Sequence, residues 1–406
     1  MLFLVGYLLS LLLIWIALAA IGRRMYSSVW MTLALAAAFT LRHRIPRTSA
    51  NSFEPYFHPR MLAFAVGALA IAALLRRRRG LAVALVAVSG FIHVTTGLWF
   101  VVLIGTAIVA LDRGMRKPAL AGIGAAIVLL AWAATAGPLQ NAFTTMDPTW
   151  LSVVANKDSL FASDWPVWAW AINLTLIVVA WTTHLARRRQ RTATIEEYAL
   201  VCGATALVLL FLVTLPLVLM KVAFPVQLQI SRVFWLVEFV ALISIVGLGR
   251  TDRVASTVAV VLILLSVGRG AYVMAVEHPE RTLVAVHLPV SDWDDAMRWI
   301  RQQPIDTHVL ADPGHAWKYG TSVRVSAERD VFLEEVKDSA MAIYSRDVAL
   351  RYAERATAAG EFSTMTAGRV RDLANRYGLD YFVAEADLPL PIAYRNRRFK
   401  VYELRP

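Results

Sequence analysis

Cysteine is almost absent from this sequence, and several classes of chemistry are absent with it. The single cysteine of the 406 residues, Cys202, excludes an intrachain disulfide and a zinc site built from cysteine pairs. The chain also lacks the phosphate loop GxxxxGK[ST], the metalloprotease motif HExxH and the nucleophile elbow GxSxG. We therefore predict no metal site and no disulfide partner, and the sequence assigns no catalytic residue.

Acidic residues are scarce in the first two thirds of the chain. The residues after 274 hold 18 Lys and Arg against 20 Asp and Glu, whereas 23 basic and 9 acidic residues precede them. The formal net charge of +12 therefore arises in the apolar part of the chain. Basic residues between apolar runs set the orientation of a membrane protein, so we predict no nucleic-acid partner.

Long apolar runs are abundant. Hydrophobic residues make up 58% of the chain, and the mean hydropathy is +0.56. A membrane span needs about 20 apolar residues, and several runs qualify: 2–22, 81–111, 166–186 and 198–220. We predict a mostly α-helical protein with a polytopic membrane bundle of about ten spans over residues 1–274.

Basic clusters indicate which ends of these spans are cytoplasmic. The clusters at 76–79 and 187–191 are the densest. The uncharged run 81–111 has basic residues at both ends, so it is predicted to cross twice and to turn outside near His93. Residues 42–60, 137–165 and 221–232 then form external loops, and the protein is predicted in a bacterial inner membrane.

Residues 275–406 have a different character and are predicted to form a small α/β domain on the external, periplasmic side. "DWDDAMRWIRQQ" has the spacing of an amphipathic helix, and "SAMAIYSRDVALRYAERATAAG" predicts a helix that ends at Gly360. "THVLAD", "DYFVAE" and "RFKVYELR" predict strands. The loop "DPGHAWKYG" carries His315, Trp317 and Lys318, which either contact a substrate or belong to a solvated loop.

Polar residues from separate loops gather on the external side. We predict that five of them line one cavity that opens to the external leaflet: Glu54, His58, Arg60, His93 and Arg232. Arginines bind phosphate in a bidentate manner, and a carboxylate or imidazole can take a proton. Arg60 and Arg232 are thus assigned to a phosphate, and Glu54 or His93 to proton handling.

Each of these residues also has a structural interpretation. His93 is equally compatible with a hydrogen-bonding turn residue, and Arg232 with an arginine that reaches the headgroups. Trp150 and Trp165 are secondary candidates that are more typical of interfacial anchors. Glu238 is a further candidate because an acid so deep in a span should face the interior and have a partner.

Four stretches resemble the GT-C superfamily of polyprenyl-phosphate-dependent glycosyltransferases. They are "YFHPRMLAFAVGALAIAALLRRRRG", "GFIHVTTGL", "MDPTWLSVVANKDSLFASDW" and an ending that contains "WDDAMRWIRQQ", "YGLDYFVAE" and "YRNRRFKVYELRP". The resemblance implies transfer of a sugar from a lipid phosphate at the periplasmic face. The implied partner is a membrane lipid or polyprenyl-phosphate sugar, and a divalent metal is implied only by the resemblance.

The chain departs from the family pattern at its start. The acidic general base of such enzymes lies in a first external loop, and neither that loop nor the span before it has a counterpart here. Glu54 is flanked by Pro55 and lies near Arg60, and a paired carboxylate is a weaker base. We expect a truncated or non-catalytic relative that does not transfer sugar alone. The alternative is a non-enzymatic multi-pass membrane protein or transporter with an external sensing domain.

Overall fold

The computed structural model describes residues 2–26, 28–41, 43–54, 56–248, 252–279 and 290–405. The chain divides into two compact units. The first consists of Met1–Thr145 and Asp158–Thr282, and the second of Met146–Lys157 and Leu283–Pro406. Residues 146–157, which the sequence analysis assigned to a loop of the bundle, are thus a part of the C-terminal unit.

The first unit is helical, as its long apolar runs predict. A short helix, α7, falls between its helices in chain order but belongs to the second unit. The helices are α1 (Leu2–Met25), α2 (Val29–Thr40), α3 (Pro59–Leu75), α4 (Arg79–Ile92), α5 (Val94–Leu111), α6 (Arg116–Thr135), α7 (Pro148–Val154), α8 (Val167–Arg189), α9 (Ile195–Leu219), α10 (Ala223–Gln227), α11 (Val233–Val246) and α12 (Asp252–Tyr272).

Among the described residues, seven helical segments are long and apolar enough to cross a membrane. Three shorter apolar helices, α2, α3 and α4, occupy the other predicted spans. Helices therefore occur at every predicted position, while the count of about ten crossings stays a prediction. The seven long segments are Phe3–Met25, Val94–Leu111, Arg113–Thr135, Val167–Arg189, Ile195–Leu219, Ala223–Val246 and Arg253–Glu277.

The predicted break in the uncharged run 81–111 is confirmed at His93. His93 has extended backbone angles, φ −152° and ψ 103°, between the end of α4 and the start of α5. The two helices pack against each other next to this break. A Cβ atom added to Gly97 would lie 2.2 Å from the Cα of Gly90, so glycine permits the close crossing.

Aromatic side chains form the centre of the first unit. The ring of Phe64 from α3 stacks on Trp235 from α11 with centroids 4.2 Å apart. Phe39 from α2 and Phe239 from α11 pack edge-on at 5.4 Å. These contacts hold α2, α3 and α11 together around side chains that are almost fully buried.

The second unit is built around one mixed sheet. Its strands are β3 (His308–Leu310), β4 (Asp330–Val331), β5 (Tyr381–Ala384), β6 (Ile392–Arg395) and β7 (Lys400–Glu403), in the order β4-β3-β5-β7-β6. β3 pairs in parallel with β4 and β5, whereas β7 pairs antiparallel with β5 and β6. A small hairpin in the first unit supplies β1 (Arg44–Ile45) and β2 (Ala50–Asn51).

Helices flank this sheet, and one predicted helix is divided in two, although its predicted end at Gly360 is confirmed. The amphipathic helix is confirmed as α13 (Asp292–Arg301), which begins with a capping box at Ser291. The helix predicted over 339–360 is instead two helices, α16 (Glu335–Met341) and α17 (Arg346–Ala359). The side chain of Ser345 caps α17 by accepting from Val348 N, which starts a new helix inside the predicted one. The remaining helices are α14 (His315–Tyr319), α15 (Val323–Ser326) and α18 (Ala367–Tyr377).

All three strand predictions are confirmed, and they correspond to β3, β5 and β7. β4 and β6 were missed. The predicted loop "DPGHAWKYG" instead contains the short helix α14, in which His315 is buried and accepts from Val323 N at 3.2 Å, so it is a structural residue. Trp317 is 77% exposed, which leaves it in solvent.

Two consecutive glutamates at the start of α9 anchor several helix ends. Glu197 is 1% exposed and accepts from Arg187 Nε at 2.9 Å. Glu196 accepts from Arg77 Nε at 2.7 Å, after the end of α3. The acidic residues that are scarce in this unit are thus used to neutralise its basic clusters.

We predict that Glu197→Gln strongly destabilises the protein. The substitution leaves the buried Arg187 without its counter-charge, and breaking a buried ion pair costs about 3–5 kcal/mol. Glu277→Gln is the control, since it removes an ion pair with Arg269 whose side chains are about two-fifths exposed. That pair should contribute about 0–1 kcal/mol. Thermal unfolding of the purified variants measures both effects, and equal losses would contradict the assignment.

Candidate functional site

The five predicted site residues come from three segments of the first unit. Glu54, His58 and Arg60 lie at the entry to α3, and His93 lies between α4 and α5. Arg232 ends the short 3-10 turn Ile230–Arg232 before α11. The charges of Arg60 and Arg232 act on both histidines, so the structure brings these segments close together.

A small hairpin positions the acidic member of the group. Arg47 and Ser49 adopt positive φ angles of 56° and 52° in the turn between β1 and β2. Thr48 Oγ1 donates to Ile45 O at 3.0 Å and accepts from Ala50 N at 3.2 Å, which holds the turn closed. The hairpin therefore directs the chain back toward α3 and positions Glu54, which lies between the hairpin and this helix.

Glu54 and Arg60 form a buried ion pair. Arg60 Nη2 lies 2.5 Å from Glu54 Oε1, and the two residues are 9% and 1% exposed. Glu54 Oε2 and Arg60 Nε are also buried and have no hydrogen-bond partner among the described residues. The pair thus contains one acceptor and one donor that are not hydrogen-bonded to described residues.

Both histidines cap helices through the same ring atom. His58 Nδ1 accepts from Arg60 N at 3.2 Å at the start of α3. His93 Nδ1 accepts from Thr96 N at 3.3 Å at the start of α5, and Thr96 Oγ1 lies 2.9 Å from it. The two ring centroids are 6.2 Å apart. A histidine that accepts at Nδ1 in this way carries its proton on Nε2 and is neutral.

The electrostatic surroundings also keep both rings neutral. Burial, the charge of Arg60 and the neighbouring His93 lower the pKa of His58 to about 4. Burial and the charges of Arg232 and Arg60 lower the pKa of His93. With both imidazoles neutral, two arginines and one glutamate leave one net positive charge at the site.

Two helix N-termini add to this positive character. α3 and α5 both begin at the capping histidines, and they contain 17 and 18 residues. The N-terminus of a long helix carries a partial positive charge and backbone N–H groups that favour an anion. The arrangement is therefore chemically suited to an anionic group next to apolar helices.

Glu238 has a partner that sequence reasoning missed. Glu238 in α11 is buried, and its Oε1 is hydrogen-bonded to His43 Nε2. This bond raises the pKa of His43 to about 9, so the imidazole is positively charged at neutral pH. The two residues are 195 positions apart, and no local pattern connects them.

The two candidate tryptophans are structural. Trp165 is buried, donates to Asp158 O at 2.9 Å and stacks on Phe211. Trp150 belongs to the second unit, where its indole donates to Ala342 O at 2.6 Å. Burial of both rings contradicts their interpretation as anchors in the membrane interface.

Comparison of the chain with protein-family models, curated proteins and solved structures finds no match. The resemblance to the GT-C superfamily therefore rests on the sequence motifs alone. The described residues contain no group of three or more His, Cys, Asp or Glu side chains that could hold a metal ion. The divalent metal implied by the resemblance does not fit these residues, and we derive no step through it.

We predict that His58 makes the protein less stable on acidification. Its folded pKa of about 4 lies below the ordinary value of 6.5, so the unfolded chain binds the proton first. Its contribution to stability is complete above about pH 6.5 and is lost as the pH falls toward about 4. His58→Asn retains an N-cap acceptor and does not titrate. The unfolding temperature of this variant should fall less than that of the wild type between about pH 7 and about pH 5.

His43→Asn serves as the control with the opposite sign. The folded pKa of His43 is raised, so its contribution is complete below about pH 6.5 and is lost as the pH rises through about 9. The unfolding temperature of this variant should therefore fall less than that of the wild type as the pH rises toward about 9, and it should fall as much as the wild type on acidification. If acidification lowers the unfolding temperature of the wild type and of His58→Asn equally, the neutral, buried state of His58 is contradicted.

Proposed function

We propose that this chain is an integral membrane protein that handles a lipid-linked phosphate sugar at the external membrane face, as a relative of GT-C glycosyltransferases. The seven long apolar segments among the described residues support residence in a membrane. The four sequence stretches that resemble the superfamily support the lipid-linked sugar. The convergence of two arginines and two helix N-termini, with one net positive charge, is the observation that carries the proposal.

The burial of Arg60 distinguishes this site from ordinary contact with headgroups. An arginine that reaches headgroups extends into solvent, whereas Arg60 is 9% exposed and paired with a buried glutamate. Burial of a charged pair is costly, and it leaves Glu54 Oε2 and Arg60 Nε unsatisfied. A phosphate that accepts from Arg60 and a sugar hydroxyl that donates to Glu54 would satisfy both atoms.

The basic clusters support an external position for the site. The cluster at 76–79 follows the C-terminal end of α3, whereas His58 and Arg60 lie at its N-terminal end. The positive-inside rule then places the site on the opposite, external side. In the same topology the loop between α6 and α8 is external. Residues 146–157 of this loop are a part of the second unit, which supports the proposal that this unit is external, and periplasmic in a bacterial inner membrane.

In this proposal the chain's own residues bind and orient the lipid. Arg60 and Arg232 hold the phosphate together with the N-termini of α3 and α5, and neutral His58 and His93 fix these helix starts. Glu54 orients the sugar through its unpaired oxygen. We assign no residue to proton abstraction, because the carboxylate of Glu54 is already paired with Arg60.

Binding of a short-chain polyprenyl-phosphate sugar to the purified protein in lipid nanodiscs tests this proposal. Arg232→Gln should weaken binding at least about tenfold, the effect of losing one hydrogen bond to a charged group. Arg60→Lys keeps the charge but loses the planar fork, so it should weaken binding as well.

Arg113→Gln is the matched control, because this exposed arginine lies in the turn before α6, at the proposed cytoplasmic side. It should bind like the wild type. The proposal is wrong if Arg232→Gln and Arg113→Gln bind alike, or if the corresponding neutral polyprenol binds as tightly as the phosphate.

A further inference from the structure

A cavity lies wholly within the C-terminal unit, at the carboxyl ends of two parallel strands. It has a volume of about 460 Å³ and is lined by Asp312, which follows β3, and by Ala384 and Glu385 at the end of β5. From β3 the chain leads to β4 on one side and then returns to β5 on the other. Ligands of such sheets bind in the crevice at this reversal. The volume lies within the range of small-molecule sites, about 300–1,000 Å³.

The rim of this cavity is polar and electrically balanced. Glu385 Oε1 accepts from Tyr319 Oη at 2.8 Å and from Arg398 Nη2 at 3.0 Å. Lys318 Nζ forms an ion pair with Asp312. The bond from Arg398 lowers the pKa of the Glu385 carboxyl and keeps it ionised. Two carboxylates thus face two cations, so the rim offers strong donors and acceptors without a net charge.

The remaining wall is apolar and partly aromatic. Phe362 and Phe382 lie with ring centroids 5.6 Å apart, and Met365 and Leu388 extend the same surface. The guanidinium of Arg398 lies over the ring of Tyr319 at 5.2 Å, which fixes that ring at the rim. A ligand of this cavity therefore needs an apolar face together with several hydrogen-bonding groups.

The geometry points to a neutral saccharide as the ligand of this cavity. A sugar ring has C–H groups that pack on aromatic and apolar side chains, and hydroxyls that both donate and accept. Carboxylates accept hydrogen bonds from hydroxyls, while Lys318, Tyr319 and Arg398 can donate to ring and hydroxyl oxygens.

A phosphate or nucleotide does not fit the cavity equally well. Its two carboxylates cancel the attraction of its two cations, and α14, which follows β3, has only five residues. So short a helix provides little dipole for an anion. The saccharide site goes beyond the proposed lipid site and does not depend on it.

Titration of the full-length protein in nanodiscs tests this inference. Glycoside detergents must be avoided, because their headgroups would compete. The probes are neutral sugars, namely glucose, galactose, mannose, arabinose and N-acetylglucosamine with their disaccharides, followed by saturation-transfer NMR and calorimetry. At least one should bind, and Glu385→Gln should weaken it about tenfold, as expected for hydrogen bonds to a charged group.

Two further variants distinguish a specific loss of sugar binding from a loss of folding. Ala386→Trp fills the cavity mouth from an exposed loop without altering the charges, so it should abolish binding. Glu354→Gln removes an exposed carboxylate of α17 outside the cavity and should bind like the wild type. Thermal unfolding verifies that each variant is folded.

The inference is overturned if no sugar binds at about 50 mM, well above the millimolar range of weak sites. It is also overturned if Glu385→Gln and Ala386→Trp bind as the wild type does, or if inorganic phosphate or adenosine monophosphate competes better than every sugar. Arg232→Gln should leave sugar binding unchanged, so failure of the lipid site and failure of this site are distinguishable.

Discussion

The buried ion pair between Glu54 and Arg60 is the interaction on which the candidate site depends. It joins the hairpin that precedes α3 to the first turn of that helix, in surroundings where an unpaired charge would be strongly unfavourable. The same loop is held at Ser52, whose carbonyl accepts from Trp235, and at His43, which is bonded to Glu238 in α11. Removal of one partner of the pair would therefore disturb the start of α3 and the contacts of the loop with α11.

Helix geometry provides the second requirement of the site. The close crossing at Gly90 and Gly97 brings α4 and α5 together, so that His93 lies at a sharp turn and its ring approaches His58. Two neutral imidazoles then cap two helices whose N-termini face the same small region. Neutral caps matter here, because a protonated histidine could not accept a hydrogen bond from the backbone N–H. Its charge would also be repelled by Arg60 and Arg232. The positive character comes from helix ends and arginines, which do not titrate near neutral pH.

Much of the fold was predictable, because apolar runs and basic clusters are local features. The helix positions, the break at His93 and the strands β3, β5 and β7 all follow from residues within about twenty positions of each other. Other features have no local signal. β4 contains only two residues, Ser345 starts a helix inside a helical pattern, and the partner of Glu238 lies 195 positions away. The five site residues were grouped because three predicted external turns deliver them to one side; proximity in the sequence indicated that Glu54 pairs with Arg60, but nothing local predicted that both histidines act as caps.

Photocrosslinking with a short-chain polyprenyl phosphate that carries a diazirine next to the phosphate tests the central claim most directly. Peptides labelled in nanodiscs and identified by mass spectrometry report where the phosphate binds. The account predicts labels in the loop before α3, at the α4–α5 turn and near Arg232, all suppressed by an excess of unreactive polyprenyl phosphate. Labels confined to the exposed surfaces of α6 and α12, or labels that the competitor does not reduce, would contradict it.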